Sequence, residues 1–474
     1  MRNDNKLGIH TPNWEQLPFA PATGVAGTNI VDDGVRYIYA YFQTSTTASA
    51  FWRFDTWGDC WQQLATAPTS TGTVANMVFT KASGGQWAGK VYGSIYLFVG
   101  NGTVCYLYRF NVATNTWSAN LGTTNVPAAF ATDAYLMYPG PGRNNNEGGY
   151  HSGVLRTITT SSSAAVGATS IAVTALPEAL AAGACLRFGS FNITFSSAAV
   201  KGATSLAVSA LPQDLAAETA ITLPNGYEVY LSAAASASAT SLTVYPISKE
   251  IVSGTVAVFE QFAVLTAGAA LSATSITVSP LLSSIPSAAT DVYYGNMYLI
   301  GHAATAMYRY NMGANAWYTT SANSGNPAIP AIPGAPGAGC ALKWLPAYAK
   351  DKLWCLRGAG TASVYVYDLV ANTWVTETYY PATETFTTGT MVAARSINGK
   401  QSSLLIQKDN TMRIFEGVPA THTMEVKMNQ WLYPTSTAVV GDKSCCVNTP
   451  DGVEFYYILL HSTTAFLRTM LIDQ

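Results

Sequence analysis

Charged residues are scarce in this chain. Of its 474 residues, Lys and Arg supply 24 and Asp and Glu supply 26, so charged side chains make up 11% of the sequence. A globular protein usually has roughly a quarter. The formal net charge of −2 provides no overall field that would attract nucleic acid or an anionic membrane. We therefore expect a surface that is rich in hydroxyl groups or largely covered by partner proteins.

Long apolar runs are also missing. A helix that crosses a bilayer needs a run of about 18 or more apolar residues. The sequence contains no such run, so no membrane-spanning segment is predicted. Residues 1–17 lack the apolar core of a secretory leader, and we expect no signal peptide.

Sequence motifs that carry chemistry are absent as well. The seven cysteines contain no CxxC pair, the five histidines no HxH or HExxH spacing, and no GxSxG or Walker loop occurs. Asp55 does not fit the Asp box of sialidases, because Trp57 stands where that motif has glycine. The sequence thus predicts no catalytic residue, no metal ligand and no cofactor, hence a protein that is not an enzyme. A spatial pair of carboxylates, as in glycosidases, stays open because such a pair leaves no spacing in a sequence.

Aromatic residues, by contrast, are abundant and periodic. A tryptophan ends four similar segments, and an aromatic residue precedes each tryptophan by seven positions. Asp or Asn stands six and two positions before each tryptophan, where such residues favour a tight turn. The pattern predicts an antiparallel hairpin written four times. The tryptophans are Trp61, Trp117, Trp317 and Trp374, and their partners are Phe54, Phe110, Tyr310 and Tyr367.

The spacing of these tryptophans closes on itself. With Trp14 and a weaker copy at Trp431, successive separations are 47, 56, 57 and 57, apart from one gap of 200 after Trp117. The 43 residues after Trp431 and the 14 up to Trp14 make up one further period of 57. We therefore predict an all-β fold, a six-bladed β-propeller with four-stranded blades, in which the N-terminal strand closes the last blade. Residues 1–150 and 291–474 form its two parts.

Residues 151–290 have a rhythm of their own. Four Ala/Thr/Ser-rich segments place Ser170, Ser205, Ser241 and Ser275 at spacings of 35, 36 and 34 residues. In each segment, larger apolar residues alternate with small ones, which is typical of a half-buried strand. We predict an inserted domain of four β repeats between two strands of one blade.

Three arginines are the most suggestive polar feature. Arg53, Arg109 and Arg309 each stand eight residues before a blade tryptophan, whereas the fourth blade has Val366 there. One interpretation is that they pack their stems between blades and bond to neighbouring carbonyl groups. The alternative is a polar rim that faces DNA or a partner.

The blade pattern resembles a kelch-type repeat, although the double glycine usual after the second kelch strand is missing. The inserted repeats resemble those of tailed-phage virion proteins, and the whole is similar to tail hub or nozzle proteins of short-tailed phages. This resemblance implies a virion protein, assembled in the host cytoplasm, that contacts other virion proteins and copies of itself in a ring through which DNA passes. The alternative is a host-facing tail-fibre or adhesin module that binds a cell-surface glycan, and a third possibility is a cellular carbohydrate-active or kelch-type binding protein.

Overall fold

The structure is a computed structural model, and it describes the greater part of the chain. The described residues are 15–23, 27–33, 36–43, 49–68, 74–80, 94–100, 104–112, 115–122, 127, 134–139, 156–165, 168–176, 180, 185–211, 220–222, 228–247, 250–270, 272–278, 290–293, 296–301, 303–311, 316–318, 328–345, 352–369, 371–378, 385–387, 390–397, 400–408, 413–418, 423–428, 443–448, 454–459 and 464–471. Trp14 and Trp431, two of the predicted blade tryptophans, lie outside these residues.

Within these ranges the chain forms strands and turns and no helix, as the sequence predicts for an all-β protein. The first strands are β1 Glu15–Gln16, β2 Asn29–Asp32, β3 Tyr37–Gln43, β4 Ser49–Asp55, β5 Cys60–Gln63, β6 Val74–Thr80, β7 Ser94–Gly100, β8 Cys105–Asn111, β9 Thr116–Trp117 and β10 Ala134–Met137. The middle strands are β11 Arg156–Thr159, β12 Ser170–Ala172, β13 Cys185–Thr194, β14 Ser205–Ala207, β15 Ala220–Thr222, β16 Glu228–Tyr230, β17 Ser241–Thr243, β18 Val256–Val264, β19 Ser275–Thr277 and β20 Thr290–Tyr293. The last strands are β21 Asn296–Gly301, β22 Tyr308–Asn311, β23 Ala316–Tyr318, β24 Ala341–Trp344, β25 Lys352–Leu356, β26 Ser363–Asp368, β27 Thr373–Thr378, β28 Met391–Ile397, β29 Lys400–Lys408, β30 Arg413–Val418, β31 Thr423–Met428, β32 Lys443–Asn448, β33 Glu454–Leu459 and β34 Phe466–Leu471.

The sheets outside residues 156–293 are four-stranded antiparallel meanders. Four of them use consecutive strands, namely β2–β5, β6–β9, β24–β27 and β28–β31. Another joins β10 to β21, β22 and β23, and a further one joins β32, β33 and β34 to β1. The first strands of these sheets touch in the order β2, β6, β10, β24, β28 and β32, and β32 touches β2. This closed radial order is that of a β-propeller, so the predicted propeller fold is confirmed.

Hydrophobic clusters fill the spaces between neighbouring sheets. One cluster, for example, joins Tyr39 and Phe51 of the β2–β5 sheet to Met77 and Leu97 of the β6–β9 sheet. Each of the other contacts between neighbouring sheets has a comparable cluster. The aromatic and β-branched side chains of these clusters are therefore buried between sheets, where burial of a side chain such as Phe contributes about 1.5–3 kcal/mol.

The two ends of the chain meet in one sheet. Glu15 of β1 pairs with Arg468 of β34, and Gln16 pairs with Leu467. The amide of Leu17 then donates to the carbonyl of Phe466 at 2.9 Å. This is the pairing that the closing count of tryptophans predicts.

Residues 156–293 form different β structure. The long strands β13 and β18 pair with each other, and β11 and β20 complete their sheet. The short repeat strands pair in a nested way, because β12 of the first repeat pairs with β19 of the fourth, and β14 of the second pairs with β17 of the third. Each nested pair has its own hydrophobic core.

The serines that reveal the repeats mark this nested pairing. Their hydroxyl groups meet across each pair, at 2.9 Å between Ser170 and Ser275 and at 3.0 Å between Ser205 and Ser241. The alternating apolar residues of the repeats point inward, and Ile171, Leu206 and Leu242 are almost completely buried. The exposed hydroxyl pairs therefore lie on the face opposite the two cores.

Candidate functional site

The predicted aromatic pairs face each other across the third and fourth strands of their sheets. Phe54 is the cross-strand neighbour of Trp61, and the three other pairs have the same register. The ring centroids are 5.0, 5.0, 5.1 and 5.0 Å apart in chain order. These distances are those of favourable tilted aromatic contacts.

The Asp and Asn residues of the motif form the turn between these two strands. Asp59, Asn115 and Asn372, each two residues before a tryptophan, have positive φ angles of 47°, 53° and 56°. Asp55 accepts a hydrogen bond from the amide of Trp57 at 3.0 Å, and Asp368 accepts one from the amide of Ala371 at 2.7 Å. The residue types thus suit the backbone that the turn requires.

The blade tryptophans also bind the segment that leads into their own sheet. The indole N–H of Trp61 donates to the carbonyl of Pro18, that of Trp117 to Ala65, and that of Trp374 to Pro330. The donor–acceptor distances are 3.2, 3.1 and 3.0 Å. The tryptophans therefore fasten the outermost strand of a sheet to the incoming chain, and their indole donors are engaged within the ring.

The three motif arginines have different surroundings. Arg53 and Arg109 are partly exposed, whereas Arg309 is completely buried. Arg53 lies over the ring of Tyr37 with 4.1 Å between the guanidinium carbon and the ring centroid, and it donates to Gln62. Because Arg309 is buried, its side chain cannot be part of a polar rim that faces DNA or a partner.

A tyrosine of the second strand explains the burial of Arg309. Arg309 pairs in register with Tyr298, and their side chains are hydrogen-bonded. Burial lowers the pKa of the Arg309 guanidinium, although Tyr298 and Tyr367 oppose this shift. Tyr39 likewise bonds to Arg53, and burial raises the pKa of Tyr39. Arg309 and Arg53 thus each bind a tyrosine of the neighbouring strand in their own sheet.

Two buried asparagines connect the first strands of neighbouring sheets. Asn29 of β2 donates to the carbonyl of Ala75 and accepts from the amide of Met77, both at 3.3 Å. Asn76 of β6 accepts from the amide of Leu136 of β10 at 2.9 Å. The first strand of a blade is a sheet edge, and these amides supply partners to its free backbone groups. Sequence reasoning missed them, although they stand at equivalent positions of the two sheets, where Asn29 pairs with Tyr41 and Asn76 pairs with Phe98.

Arg36 is the centre of a polar and aromatic group at the edge of the β2–β5 sheet, and sequence reasoning missed this group as well. Its guanidinium makes a bidentate ion pair with Asp55, at 2.9 and 2.6 Å. It also lies 4.5 Å from the ring centroid of Trp57. Asp33 holds the backbone of this turn, because it accepts hydrogen bonds from the amides of Arg36 and Tyr37.

The same arginine reaches residues 156–293. Its Nη1 donates to the hydroxyl of Tyr245 at 3.0 Å, and the rings of Tyr245 and Trp57 meet edge to face with centroids 5.1 Å apart. Burial raises the pKa of Asp55, but its hydrogen bonds to Arg36 and to backbone amides outweigh this effect, so the pKa lies below its ordinary value. The carboxylate therefore stays ionised at neutral pH and keeps Arg36 in place.

The described residues contain no group of three or more His, Cys, Asp or Glu residues that could hold a metal ion. All five histidines lie outside the described residues. The cysteines with described side chains are free thiols, buried except for Cys60. No described helix is long and apolar enough to cross a membrane.

Comparisons with known proteins add little to this geometry. No protein family and no curated protein matches the chain. Among solved structures, the chain is similar to one from a mitotic checkpoint complex, with a TM-score of 0.37 and 9% identity over 100% of this chain and 98% of that one. The chain is also similar to the α-L-arabinofuranosidase of Fusarium graminearum in complex with arabinobiose, with a TM-score of 0.39 and 8% sequence identity over 97% of both chains. For a protein of unknown function from Bacteroides thetaiotaomicron, the TM-score is 0.39 and the sequence identity is 8%, over 97% of this chain and 76% of that chain.

Proposed function

We propose that this chain is a non-enzymatic structural component of a tailed-phage virion, a hub or nozzle subunit of the tail or neck that acts through protein–protein contacts. One observation carries the proposal. The residues that recur from sheet to sheet, the aromatic pairs, the turn Asp and Asn residues and the indole donors, are engaged in joining the ring together. The recurring residues of the chain thus have structural roles, as expected of a scaffold protein.

We further propose that the ring has six blades and that one of them is interrupted by a separate domain. The order of contacts among the first strands, which returns from β32 to β2, supports this count. The two cores within residues 156–293 support a separate folding unit. Since β20 belongs to the sheet of β11 and β13, we include residues up to Tyr293 in the proposed domain, whereas the sequence analysis ends it at residue 290.

Removal of the inserted domain is expected to leave a folded ring. Met137 at the end of β10 pairs with Tyr298 of β21, so a short Gly/Ser linker in place of residues 151–293 spans the gap, and loop-closure entropy depends only weakly on length. Near-ultraviolet circular dichroism and thermal melting should therefore resemble those of the full chain. An insoluble or molten product would show that the insert is part of the core of the ring.

The partners follow from the proposed location. A chain this poor in charge suits permanent interfaces, which are depleted of charged residues at their centres. Copies of the chain arranged head to tail around an axis would close into a ring, with DNA passing through its channel and other virion proteins on its faces. The inserted domain, with its exposed hydroxyl pairs, would meet those neighbours.

Purified particles test this proposal. Mass spectrometry should find the chain in washed particles at several copies each, and averaged images of particles labelled on the inserted domain should show it at the neck or tail. Isolated protein should turn over no aryl glycoside. Absence from particles, or hydrolysis at ordinary enzymatic rates of about 1 per second or more, would overturn the proposal. Localisation to fibres together with binding on a glycan array would establish the adhesin alternative instead.

A further inference from the structure

The contact between Tyr245 and the Arg36–Trp57 group joins parts of the chain that are 209 residues apart in sequence. The inserted domain leaves the ring between β10 and β21, the first and second strands of their sheet. In the β2–β5 sheet, Arg36 lies in the turn between the first two strands, and Trp57 lies in the turn between the last two. In an antiparallel meander these two kinds of turn lie at the same end of the strands. The contact is therefore on the face of the ring from which the insert emerges.

Tyr245 departs from the pattern of its own repeats. It directly follows Val244, the residue that forms an isolated bridge with Leu231, and the other repeats form the same bridge at Val173, Val208 and Val278. The residues after those valines are Thr174, Ser209 and Ser279. The first, second and fourth repeats thus have a small hydroxyl residue at this position, and only the third repeat has a large aromatic one. The fold of a repeat therefore does not require Tyr245.

Trp57 departs from its blade motif in the same way. It stands four residues before Trp61, where the corresponding blades have Ala113, Gly313 and Val370. Arg36 immediately precedes Tyr37, which pairs with Asp55, and the equivalent residues before β7 and β21 are Gly93 and Gly295. The turn of a blade therefore requires neither a tryptophan nor an arginine.

We propose that Arg36, Asp55 and Trp57 form a docking site for Tyr245, which seats the inserted domain on one face of the propeller. Two unrelated repeats each deviate from their own pattern at the residue that makes this contact. The site supplies what a tyrosine side chain needs: an edge-to-face aromatic neighbour, a cation over the ring and a donor to its hydroxyl. Asp55 holds the Arg36 guanidinium in place through their ion pair. The insert is thus an oriented arm with a defined resting position. This inference does not depend on the protein being part of a virion.

Two substitutions, one on each side of the contact, test the proposal with residues that the chain already uses at equivalent positions. Tyr245→Ser gives the third repeat the residue of the second, and Trp57→Ala gives the first blade the residue of the next. Each should release the insert, because each removes the aromatic contact. Hydrogen exchange at the amide of Arg36, and in Tyr245→Ser also at the amide of Trp57, should become about tenfold faster or more, and the radius of gyration from X-ray scattering should rise. The double variant should add nothing to either single one.

Tyr106→Ser is the matched control. Tyr106 is a partly exposed tyrosine of β8, away from the Arg36 group, and it stacks on Tyr108 of the same strand. It should change neither the exchange at Arg36 and Trp57 nor the radius of gyration. Tyr245→Phe, which keeps the ring but loses the hydroxyl, should give an intermediate effect. Full-chain melting identifies any variant that misfolds. If Tyr245→Ser and Trp57→Ala fold and leave both measurements as in the parent, the docking site does not exist. If Tyr245→Ser misfolds, Trp57→Ala alone decides the question.

Discussion

Deletion of residues 1–18 should destabilise the whole propeller by about 5 kcal/mol, the sum of lost apolar burial and lost hydrogen bonds. Leu17 is almost completely buried between the first and last sheets. The deletion also removes the hydrogen bond from Leu17 to Phe466 and the carbonyl of Pro18 that accepts from Trp61. Since domains are commonly stable by 5–15 kcal/mol, this loss is a large share of the total.

The ion pair at this junction contributes less than its geometry suggests. Arg468 donates to Glu15 at 2.7 Å and to Asp59 at 2.8 Å. The Glu15 side chain is 58% exposed, so water screens this pair and its contribution stays below about 1 kcal/mol. Most of the effect of the truncation should therefore come from Leu17 and from the unpaired edge of β34, which is also a site for aggregation.

Urea unfolding followed by tryptophan fluorescence, with size-exclusion chromatography for aggregation, measures the effect of this truncation. Glu15→Gln is the control, because it keeps the strand and removes only the charge; it should shift the free energy of unfolding by less than about 1 kcal/mol. A protein without residues 1–18 that unfolds at the same urea concentration as the full chain would show that the closing strand is dispensable.

The parts of the fold that are local in sequence could be predicted from it. The pairing of Phe54 with Trp61 depends on a turn of a few residues, and the turn residues fix its register. The propeller followed from repetition of that hairpin, and the pairing of β1 with β34 followed from the length of the period. The nested pairing of the four repeats within residues 156–293 did not, because any two of them have compatible strands and their spacing does not select partners.

The contacts between sheets could not be predicted. Asn29 and Asn76 bond to the backbone of a neighbouring strand, and no spacing within a sheet reveals which residue will face the next one. The environments of Arg53 and Arg309 differ although their motif positions agree, since burial depends on the neighbouring chain. The Tyr245 contact left a usable signal, because Trp57 and Tyr245 each break their own repeat. Comparison of repeats for their exceptions would have found it.

Arg309→Val should lower the free energy of unfolding by about 3 kcal/mol or more, because it leaves a cavity and removes a buried bonding partner of Tyr298. Arg309 is 0% exposed and lies in register between Tyr298 and Tyr318. Arg53→Val and Arg109→Val are the matched controls at the same motif position. These arginines are partly exposed, so each should cost about 1 kcal/mol or less.

The chain itself supplies the compensating substitution. Where the motif position is Val366, its neighbour on the second strand is Trp354, and both side chains are buried. Where the position is Arg309, the neighbour is Tyr298, whose hydroxyl bonds to the guanidinium. A buried hydroxyl needs a partner that valine cannot provide, whereas tryptophan fills more volume in the space beside valine. Tyr298→Trp combined with Arg309→Val should therefore recover at least about 1 kcal/mol of what Arg309→Val loses, a coupling that a double-mutant cycle in urea measures. A loss in the double variant that equals the sum of the losses of Arg309→Val and Tyr298→Trp would mean that the two residues are independent, and that Arg309 is retained for a reason other than its pairing with Tyr298.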